Sequence, residues 1–283
     1  MIPRILLGQP LAERIEEQVR TQVSELPLPP HFVILLLGNN PASLSYVKKK
    51  QAAAQRVGIT CTLMHLAEDT SEEVLLGHLN ALNANPEIHG YIVQLPLPPH
   101  ISVGRILSNI DPKKDLDGFH PLNAGKVFLG EDPHTFFPPA TAEAILALLE
   151  YYDIPITAQH VVIIGKSTIV GRPLALLLMN RDATVTVCHQ KTTDLESYTK
   201  RADIIISATG VAHLVKKSFL KPNSVVIDVG FSKGDGKIAG DLDVEDAREM
   251  LLAYAPVPGG VGPVTVAKLL ENTVKACRFS LSA

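Results

Sequence analysis

The chain is poor in cysteine and has no paired histidines, and both shortages limit what it can be. Its three cysteines, Cys61, Cys188 and Cys277, lie far apart and form no C-x-x-C pair. That spacing and the odd number argue against a disulfide framework, so each cysteine is predicted to be a small core residue. The ten histidines include no H-x-H or H-x-x-x-H pair, and we therefore predict no structural metal.

The chain also lacks a basic excess, a long apolar run and a recognisable secretory signal. Lysine and arginine total 26 against 29 aspartate and glutamate residues, which gives a formal net charge of -3. That balance disfavours nucleic acid as a partner, and no apolar run is long enough to span a bilayer. The start, Met1-Ile-Pro-Arg4, does not have the successive regions of a signal peptide. We expect a cytoplasmic protein without nucleic-acid or membrane partners.

What the chain does contain is an ordinary globular composition, with 46% hydrophobic and 19% charged residues. Its 283 residues exceed a usual single core, so two domains are expected. Short apolar runs alternate with amphipathic segments, which predicts the α/β class. The stretch Asn123–Pro139, rich in Gly, Pro and Phe, is predicted to be loop-like and to mark the change of domain.

One stretch in the first half predicts a strand, a turn and a helix. Phe32–Leu37 is an unbroken apolar run, typical of a strand buried in a parallel sheet. Asn40-Pro41 then supplies an N-cap and a first helical residue. Tyr46 and Lys50 follow at a spacing of four, so their side chains share one helix face near the carboxyl end of a strand. A solvated helix face would show the same spacing.

A second strand of interest is Gly90–Pro96, because a lone glutamine, Gln94, lies near its carboxyl end. Before it, Thr70-Ser-Glu-Glu73 has the pattern of a capping box that opens a helix running to about Asn83. The other elements predicted in this half are helices over Leu11–Val23 and Ser102–Asn109 and a strand over Ile59–Leu66.

A polar loop follows from Asp111 to Pro121, and it contains two further aspartates, Asp115 and Asp117. It has no helical or strand periodicity. A surface cluster of Asx turns would explain such a loop without any function, and a ligand-binding loop is the alternative. Beyond it, Thr141 is predicted to cap a helix that ends near Tyr152.

From His160 onward the alternation of strands and helices predicts a doubly wound dinucleotide-binding domain. Its phosphate turn departs from the G-x-G-x-x-G pattern, because Ser167 replaces the second glycine and Gly171 lies one place late. The strand-turn-helix context therefore carries the prediction more than the motif does. The strands predicted here are Val161–Gly165, Ala183–Cys188, Asp203–Ala208 and Ser224–Val229.

The end of the second of these strands indicates which dinucleotide is bound. An NAD-selective site usually has an acidic residue there for the ribose 2′-hydroxyl. The segment Cys188-His189-Gln190-Lys191 has none, and Lys166 lies in the phosphate turn. Two lysines without a carboxylate favour a 2′-phosphate, and hence NADP, although merely solvated lysines would look the same.

The most distinctive motif is Pro256–Thr265, in which three prolines and three glycines alternate. Such a loop lets backbone N–H groups approach a ligand closely. An ordinary linker could have a similar composition. A strongly periodic helix over Thr265–Ser280 is predicted to follow.

Five motifs now stand in a fixed order along the chain. They are Tyr46-x-x-x-Lys50, Val93-Gln94-Leu95-Pro96, Lys114-Asp-Leu-Asp117-Gly118, Gly165-x-Ser167-x-x-Val170-Gly171-x-Pro173 and Pro256-Val-Pro-Gly-Gly-Val-Gly-Pro263. Together they resemble the bifunctional methylenetetrahydrofolate dehydrogenase/methenyltetrahydrofolate cyclohydrolase family over essentially the whole chain. The resemblance favours functional interpretations of Tyr46, Lys50 and Asp117 over structural ones.

The resemblance implies an enzyme that oxidises methylenetetrahydrofolate with NADP and hydrolyses the methenyl product to formyltetrahydrofolate. It implies an N-terminal α/β folate-binding domain, residues 1–139, completed by a C-terminal helix, residues 265–283. The Rossmann-type NADP-binding domain would be residues 140–264, and the active-site cleft would lie between the two. A homodimer formed through the dinucleotide domains is implied as well.

The resemblance also implies individual roles. Tyr46 would hold the folate ring, and Lys50 would shuttle a proton if its pKa is lowered toward neutrality. Gln94 would hold Lys50 and the attacking water, and Asp117 would accept hydrogen bonds from the pterin. The other folate contacts expected are Val93, Leu95, Pro258, Gly259, Gly260, Val261 and Gly262. The cofactor contacts expected are Gly165, Lys166, Ser167, Gly171, Gln190, Lys191 and Phe231.

The chain departs from the family pattern in three places. Pro139-Ala-Thr141-Ala-Glu-Ala144 replaces Pro-Cys-Thr-Pro-x-Gly, Phe231-Ser232 stands where Ile-Asn is common, and Val264 replaces Met or Phe. The first departure lies near the expected hinge, so cofactor affinity and domain closure are the properties that it would affect.

Three other functions stay open at this point. They are a dehydrogenase without cyclohydrolase activity, a non-catalytic folate- or dinucleotide-binding relative, and an NADP oxidoreductase with another substrate. Retention of Lys50 and Gln94 favours both activities. An unrelated oxidoreductase would not account for Tyr46, Asp117 and the Pro/Gly motif together.

Overall fold

The computed structural model describes residues 2–234 and 237–282, and the chain divides into two compact units. We name the two units after the ligands that the resemblance implies. The folate unit comprises Glu13–Ala140 and the residues from Val266 onward. The nucleotide unit comprises the described residues up to Ala12 together with Thr141–Thr265. This grouping differs from the sequence-based division at the amino terminus, because the strand Arg4–Ile5 pairs with Ala253 and Tyr254 of the nucleotide unit.

Strands and helices alternate along most of the described residues, as predicted for an α/β protein. In chain order the strands are β1 (Arg4–Ile5), β2 (His31–Leu37), β3 (Thr60–Leu66), β4 (Gly90–Val93), β5 (His160–Ile164), β6 (Thr184–Cys188), β7 (Ile204–Ser207), β8 (Ser224–Asp228), β9 (Ser232–Gly234), β10 (Lys237–Ala239) and β11 (Leu251–Ala255). The α-helices are α1 (Gln9–Ser24), α2 (Pro41–Arg56), α3 (Glu72–Ala84), α4 (Val103–Ser108), α5 (Pro121–Leu129), α6 (Ala140–Tyr151), α7 (Gly171–Met179), α8 (Leu195–Thr199), α9 (Val244–Ala247) and α10 (Val261–Leu281).

The folate unit has a parallel sheet with the strand order β3-β2-β4. The central strand β2 is buried from Phe32 to Leu37, as its unbroken apolar sequence predicted. The connection through α2 leads from β2 to β3, and the next connection returns past β2 to β4. The carboxyl end of β2 is therefore a topological switch point, which is where open α/β sheets bind ligands.

Helix α2 begins at the carboxyl side of that switch point as its sequence predicted. The Asn40 side chain accepts hydrogen bonds from the backbone N–H groups of Ala42 and Ser43 at 2.9 and 3.2 Å, and proline occupies the first helical position. The face that turns to the core carries mostly small or apolar residues, and Lys50 lies on it. Its neighbours at the i-3 and i+4 positions on this face, Val47 and Ala54, are both buried.

The predicted capping box before α3 is wrong by one residue. The N-cap is Ser71, whose hydroxyl accepts from the N–H of Val74 at 3.3 Å, so Glu73 does not take the third helical position. The cap predicted for α6 is also wrong. That helix begins at Ala140, so Thr141 lies inside its first turn.

The prediction that residues 123–139 are loop-like is wrong for their first part, because α5 occupies Pro121–Leu129. Pro121 stands at the first helical position, where its missing N–H costs nothing, and the His120 ring accepts from the N–H of Leu122. Gly130 closes the helix in the left-handed conformation, with φ of 69°. The prediction failed because the proline and the glycine that mark the two ends of this helix are also common in loops.

The nucleotide unit contains a sheet whose described strands are all parallel and follow the order β1-β11-β8-β7-β5-β6. The order reverses between β5 and β7, as in a doubly wound dinucleotide-binding fold. The four strands predicted for this half are confirmed. Strands β1 and β11 were not predicted, although they extend the sheet beyond β8.

The long C-terminal helix α10 begins four residues before the predicted Thr265, at Val261. A turn precedes it, in which the N–H of Gly260 donates to the carbonyl of Pro256 at 2.8 Å. Pro263 falls in the first helical turn, where no partner is needed for the missing N–H. The Pro/Gly loop is therefore shorter than predicted, and its last part is helical.

Two further expectations bear on the class of protein. Cys188 and Cys277 are buried free thiols, while Cys61 is a half-buried one. Within residues 2–234 and 237–282, no helix has the length and apolar character needed to cross a bilayer.

Candidate functional site

The centre of the candidate site is a hydrogen bond between two of the predicted residues. The ammonium of Lys50, which is 9% exposed, donates to Oε1 of Gln94 at 3.1 Å. Gln94 follows β4 directly, and its backbone N–H donates to the carbonyl of Leu35 at 2.8 Å. Its side-chain nitrogen donates to the carbonyl of Leu95 at 2.9 Å, so the amide is fixed at both ends. The structure thus joins the first two motifs at the switch point.

Asp117 is half-buried and interacts electrostatically with the same lysine. Burial lowers the pKa of Lys50, and the negative charge of Asp117 opposes that shift. Burial also raises the pKa of Asp117, and Lys50 opposes it. Cys61 lies near enough to interact with Lys50, but burial raises the pKa of its thiol to about 12. The local charge around Lys50 is therefore set by Asp117 rather than by the thiol.

The loop that carries Asp117 is held in the core and is not a surface cluster of Asx turns. Asp115 is 1% exposed, and its Oδ2 accepts from the N–H of His120 at 2.7 Å and from Nδ2 of Asn123 at 2.8 Å. The backbone of Tyr91 pairs with this segment, since its N–H donates to the carbonyl of Lys114 at 2.9 Å. These bonds fix the backbone two residues before Asp117.

Two other charged residues of this loop differ in their surroundings. The Lys114 ammonium donates to the carbonyls of Leu82 and Asn85 at 2.9 and 2.6 Å and so closes the end of α3. Asp111 does form an Asx turn, accepting from the N–H of Lys113 at 2.9 Å. Only this first aspartate fits the surface interpretation.

Three other predicted folate contacts lie in the same unit. Tyr46 is half-buried, burial raises the pKa of its phenol, and the Lys49 ammonium lies 5.6 Å from its ring centroid. Val93 is 2% exposed within the hydrophobic core, so its side chain cannot meet a ligand and only its backbone could. Leu95 is half-buried and precedes Pro96 through a cis peptide bond.

The phosphate turn of the nucleotide unit is a tight backbone cradle. A Cβ atom on Gly171 would lie 1.9 Å from the carbonyl oxygen of Gly165, which explains a glycine one place later than in the usual pattern. Gly165 itself has φ of +126°, which only glycine adopts readily. The Ser167 hydroxyl accepts from the N–H groups of Val170 and Gly171 at 3.1 and 3.4 Å. The turn therefore leads directly into the amino end of α7, a natural anion site.

The remaining cofactor candidates surround the ends of neighbouring strands. Lys166 is exposed in the phosphate turn, and Gln190 and Lys191 are exposed in the turn after β6. That turn is held by a bond from the Lys191 N–H to Nδ1 of His189 at 3.1 Å. Phe231 is half-buried just beyond β8. Such a set fits a dinucleotide with a 2′-phosphate.

The predicted folate contacts from Pro258 to Gly262 belong to the nucleotide unit, up to the first turn of α10. Gly8 holds this motif, because its N–H donates to the carbonyl of Gly259 at 2.8 Å. A Cβ on Gly8 would lie 1.9 Å from the carbonyl oxygen of Gly260. Sequence reasoning missed this residue, and a glycine just before a helix was its only signal.

A pair of buried aspartates was also missed. Asp228 is 2% exposed and Asp241 is 0% exposed, and both lie at the carboxyl ends of strands of the nucleotide unit. Burial raises the pKa of Asp228 to about 6, with a further upward contribution from Asp241 and opposing hydrogen bonds from backbone N–H groups. The available signal was an aspartate within two residues of a glycine, as in Asp228-Val-Gly230 and Gly240-Asp241.

Comparison with known proteins places both units. Residues 6–117 match the family model described as "Tetrahydrofolate dehydrogenase/cyclohydrolase, catalytic domain", and residues 139–281 match its "NAD(P)-binding domain". The bifunctional protein FolD of Hydrogenobaculum sp. is 48% identical over 272 residues, covering 96% of this chain and 98% of the relative.

Solved structures agree over the same length. The bifunctional FolD dehydrogenase/cyclohydrolase of Campylobacter jejuni has a TM-score of 0.94 at 43% identity, covering 97% of this chain and 98% of its own. The Trypanosoma brucei enzyme, solved with NADP cofactor and inhibitor, has a TM-score of 0.95 at 34% identity, with 100% of both chains covered. In the part of this chain that the structure describes, no group of three or more His, Cys, Asp or Glu side chains could hold a metal ion.

Proposed function

The chain belongs to the tetrahydrofolate dehydrogenase/cyclohydrolase family, and on that basis we propose that it oxidises 5,10-methylenetetrahydrofolate with NADP to 5,10-methenyltetrahydrofolate. It then hydrolyses this product to 10-formyltetrahydrofolate. The observation that carries the proposal is the hydrogen bond from Lys50 to Gln94 at the switch point, with the charge of Asp117 beside it.

The folate is held by the residues around that hydrogen bond. The Tyr46 ring packs against one face of the folate's aromatic system, and the Asp117 carboxylate accepts hydrogen bonds from the donor-rich edge of the pterin. Tyr46 is held in place by helix α2. The backbone near Asp117 is held by the hydrogen bonds of the buried Asp115, two residues before it. Fixed side chains hold the one-carbon unit in a single orientation, which hydride transfer requires.

The nucleotide unit holds the cofactor. The N–H groups at the amino end of α7 bind the diphosphate, and the glycine cradle lets it approach the backbone. Lys166 and Lys191 bind the 2′-phosphate, and Gln190 contributes a neutral donor beside it. When bound, NADP accepts the hydride from the methylene carbon.

Hydrolysis depends on the protonation of Lys50. Burial favours the neutral amine, which can accept a proton from the attacking water. Gln94 presents an acceptor to Lys50 without adding a negative charge that would raise the lysine pKa again. In this proposal Lys50 lies beside both the attacking water and the departing ring nitrogen, so the proton taken from the water passes through the lysine to that nitrogen.

One assay tests the whole proposal. The purified protein is mixed with methylenetetrahydrofolate and either NADP or NAD, and absorbance is followed for reduced cofactor and for the methenyl compound. Reduced NADP with little accumulated methenyl compound supports both steps. Accumulating methenyl compound would leave a dehydrogenase alone, and no reduction with either nucleotide would contradict the proposed function.

The hydrolysis rate is expected to fall as the pH is lowered through the pKa of Lys50. Since burial lowers this pKa, the neutral amine forms at lower pH than in an ordinary lysine. An ordinary lysine has a pKa of about 10, so the midpoint of the rate profile should lie below about pH 10. The measurement is the rate of methenyl decay against pH. The uncatalysed rate, which also rises with pH, is subtracted at every point. A profile whose midpoint coincides with that of a free lysine would contradict the role.

Replacing Lys191 by Gln is expected to weaken NADP binding about tenfold and to leave NAD binding unchanged, because one charge-assisted hydrogen bond to the 2′-phosphate is lost. Titration with each nucleotide measures this difference. Lys200→Gln is the matched control, since Lys200 is also exposed but pairs with Glu196 on α8. Equal weakening of NADP and NAD would show that Lys191 does not read the 2′-phosphate.

We propose further that two copies associate through the nucleotide unit and that the protein works in the cytoplasm. The dimer follows the resemblance to the family, and β6, which ends the order of the six-stranded sheet, offers an edge with Val187 37% exposed. The free thiols suit a reducing compartment. Sedimentation equilibrium at micromolar concentration would test the dimer, and a monomer there would contradict it.

A further inference from the structure

Asp241 is a buried carboxylate that holds the end of β7. Its Oδ2 accepts three hydrogen bonds: from the Ser207 hydroxyl at 2.6 Å, and from the N–H and the hydroxyl of Thr209, each at 2.8 Å. All three donors belong to the segment where β7 ends and its carboxyl-side turn begins. The position of that turn therefore depends on Asp241.

The second oxygen of Asp241 lies beneath the end of β8. Oδ1 is buried and has no hydrogen-bond partner among the described residues. A Cβ atom built on Gly230 would lie only 1.8 Å from it, so Gly230 is the residue that covers this oxygen. One carboxylate thus bonds to the end of β7 and packs closely against the turn that follows β8.

Asp228 fixes Asp241 in turn. Its Oδ1 accepts from the backbone N–H of Asp241 at 3.0 Å and from that of Gly230 at 2.9 Å. In the turn after β7, between the two residues that donate to Asp241, lies Ala208. A Cβ on Gly165 would lie 2.6 Å from the carbonyl oxygen of Ala208. The turn that Asp241 holds is therefore in close contact with the phosphate turn of the proposed cofactor site.

The hydrogen bonds around Asp241 suit a carboxylate. Three donors converge on Oδ2, and Oδ1 faces no acceptor to which a proton could be donated among the described residues. In a doubly wound sheet one mononucleotide half lies over the strands on each side of the reversal. Here the proposed 2′-phosphate contacts follow β5 and β6, so the adenosine half belongs to that side. The nicotinamide half therefore belongs to the side of β7 and β8.

We propose that Asp241 is a positioning residue for the nicotinamide half of NADP and that its buried negative charge favours the oxidised cofactor over the reduced one. The inference rests on the proposed function, because it takes NADP as the ligand. The oxidised nicotinamide ring carries a positive charge and the reduced ring does not. A charge buried beneath the strand ends therefore stabilises one redox form selectively, since little solvent screens it.

Replacing Asp241 by Asn tests the charge, since the amide keeps one acceptor oxygen for the three donors of Ser207 and Thr209. Calorimetric titration of the folded protein, without folate, is expected to show about fivefold weaker binding of oxidised NADP. Binding of reduced NADP should change by less than about twofold. Equal weakening of both forms, or no change in either, would overturn the inference.

Asp203→Asn is the matched control. Asp203 carries the same charge just before β7, at the opposite end of the strand, where it is 38% exposed and bonded to Lys221. This variant is expected to leave the ratio of the two affinities unchanged. A wild-type chain that binds neither form would contradict the proposed function itself, whereas normal wild-type binding with an unaltered ratio in Asp241→Asn contradicts only this inference.

A second variant covers the case in which Asp241→Asn does not fold. Thr209→Val removes one donor and leaves the buried charge in place. Because only the position of the turn is then loosened, both redox forms are expected to bind about threefold more weakly, with an unchanged ratio. Unaltered affinity for both forms would overturn the positioning role.

Discussion

Replacing Lys50 by Met lowers the expected rate of methenyltetrahydrofolate hydrolysis by about 10²- to 10⁴-fold, the range for loss of a general acid-base group. Methionine is unbranched and suits the buried face of α2 beside Val47 and Ala54. The variant should still fold, because methionine fills the same buried space without an amino group that burial disfavours in its charged form. The loss is therefore expected in the chemistry and not in the fold.

Lys48→Met is the matched control for this experiment. Lys48 is exposed on the same helix, so the same change of side chain there should leave hydrolysis within about twofold of the wild type. Decay of the methenyl compound measures the rate, and a folate titration confirms that substrate still binds. A folded Lys50→Met protein that hydrolyses at the normal rate would refute the role assigned to this lysine.

Asp117→Ala is expected to weaken folate binding by at least about 10²-fold, since two charge-assisted hydrogen bonds to the pterin are lost. The loss should fall on folate affinity, while NADP binding is unchanged. A second effect follows from electrostatics. Asp117 raises the pKa of Lys50, so its removal should shift the pH profile of the residual hydrolysis to lower pH.

The loop supplies its own control for Asp117. Asp111→Ala removes an Asx turn with Lys113 at the beginning of the loop and should change folate affinity by less than about twofold. Equilibrium binding of the folate in the absence of NADP measures both variants. Wild-type affinity in Asp117→Ala, or an equal loss in both variants, would show that the carboxylate does not bind the pterin.

The positions of Lys50 and Gln94 could be foreseen from local patterns, whereas their contact was expected only from the resemblance to the family. Helical spacing placed Lys50 on the face of Tyr46, and the ends of parallel strands placed Gln94 at the same sheet edge. What the spacing could not show is burial. Val93 has its side chain in the core although its neighbour Gln94 faces the site, and an unbroken apolar strand gives no alternation to reveal this.

Other features escaped prediction because they depend on contacts distant in sequence. Strand β1 is two residues long and has meaning only beside β11, which lies near the other end of the chain. Asp241 is likewise unremarkable in the sequence, because its three donors come from Ser207 and Thr209. Local periodicity carries no information about such partners.

The pairing of β1 with β11 also constrains how the protein can be made on the ribosome. The strand Arg4–Ile5 is synthesised long before its partner strand Leu251–Ala255, because most of the described chain lies between them. At about 5–20 residues per second, the nascent chain must carry this unpaired strand for at least about ten seconds. Helix α10, which contributes to both units, is translated later still. Neither unit can reach its final form before α10 has been synthesised.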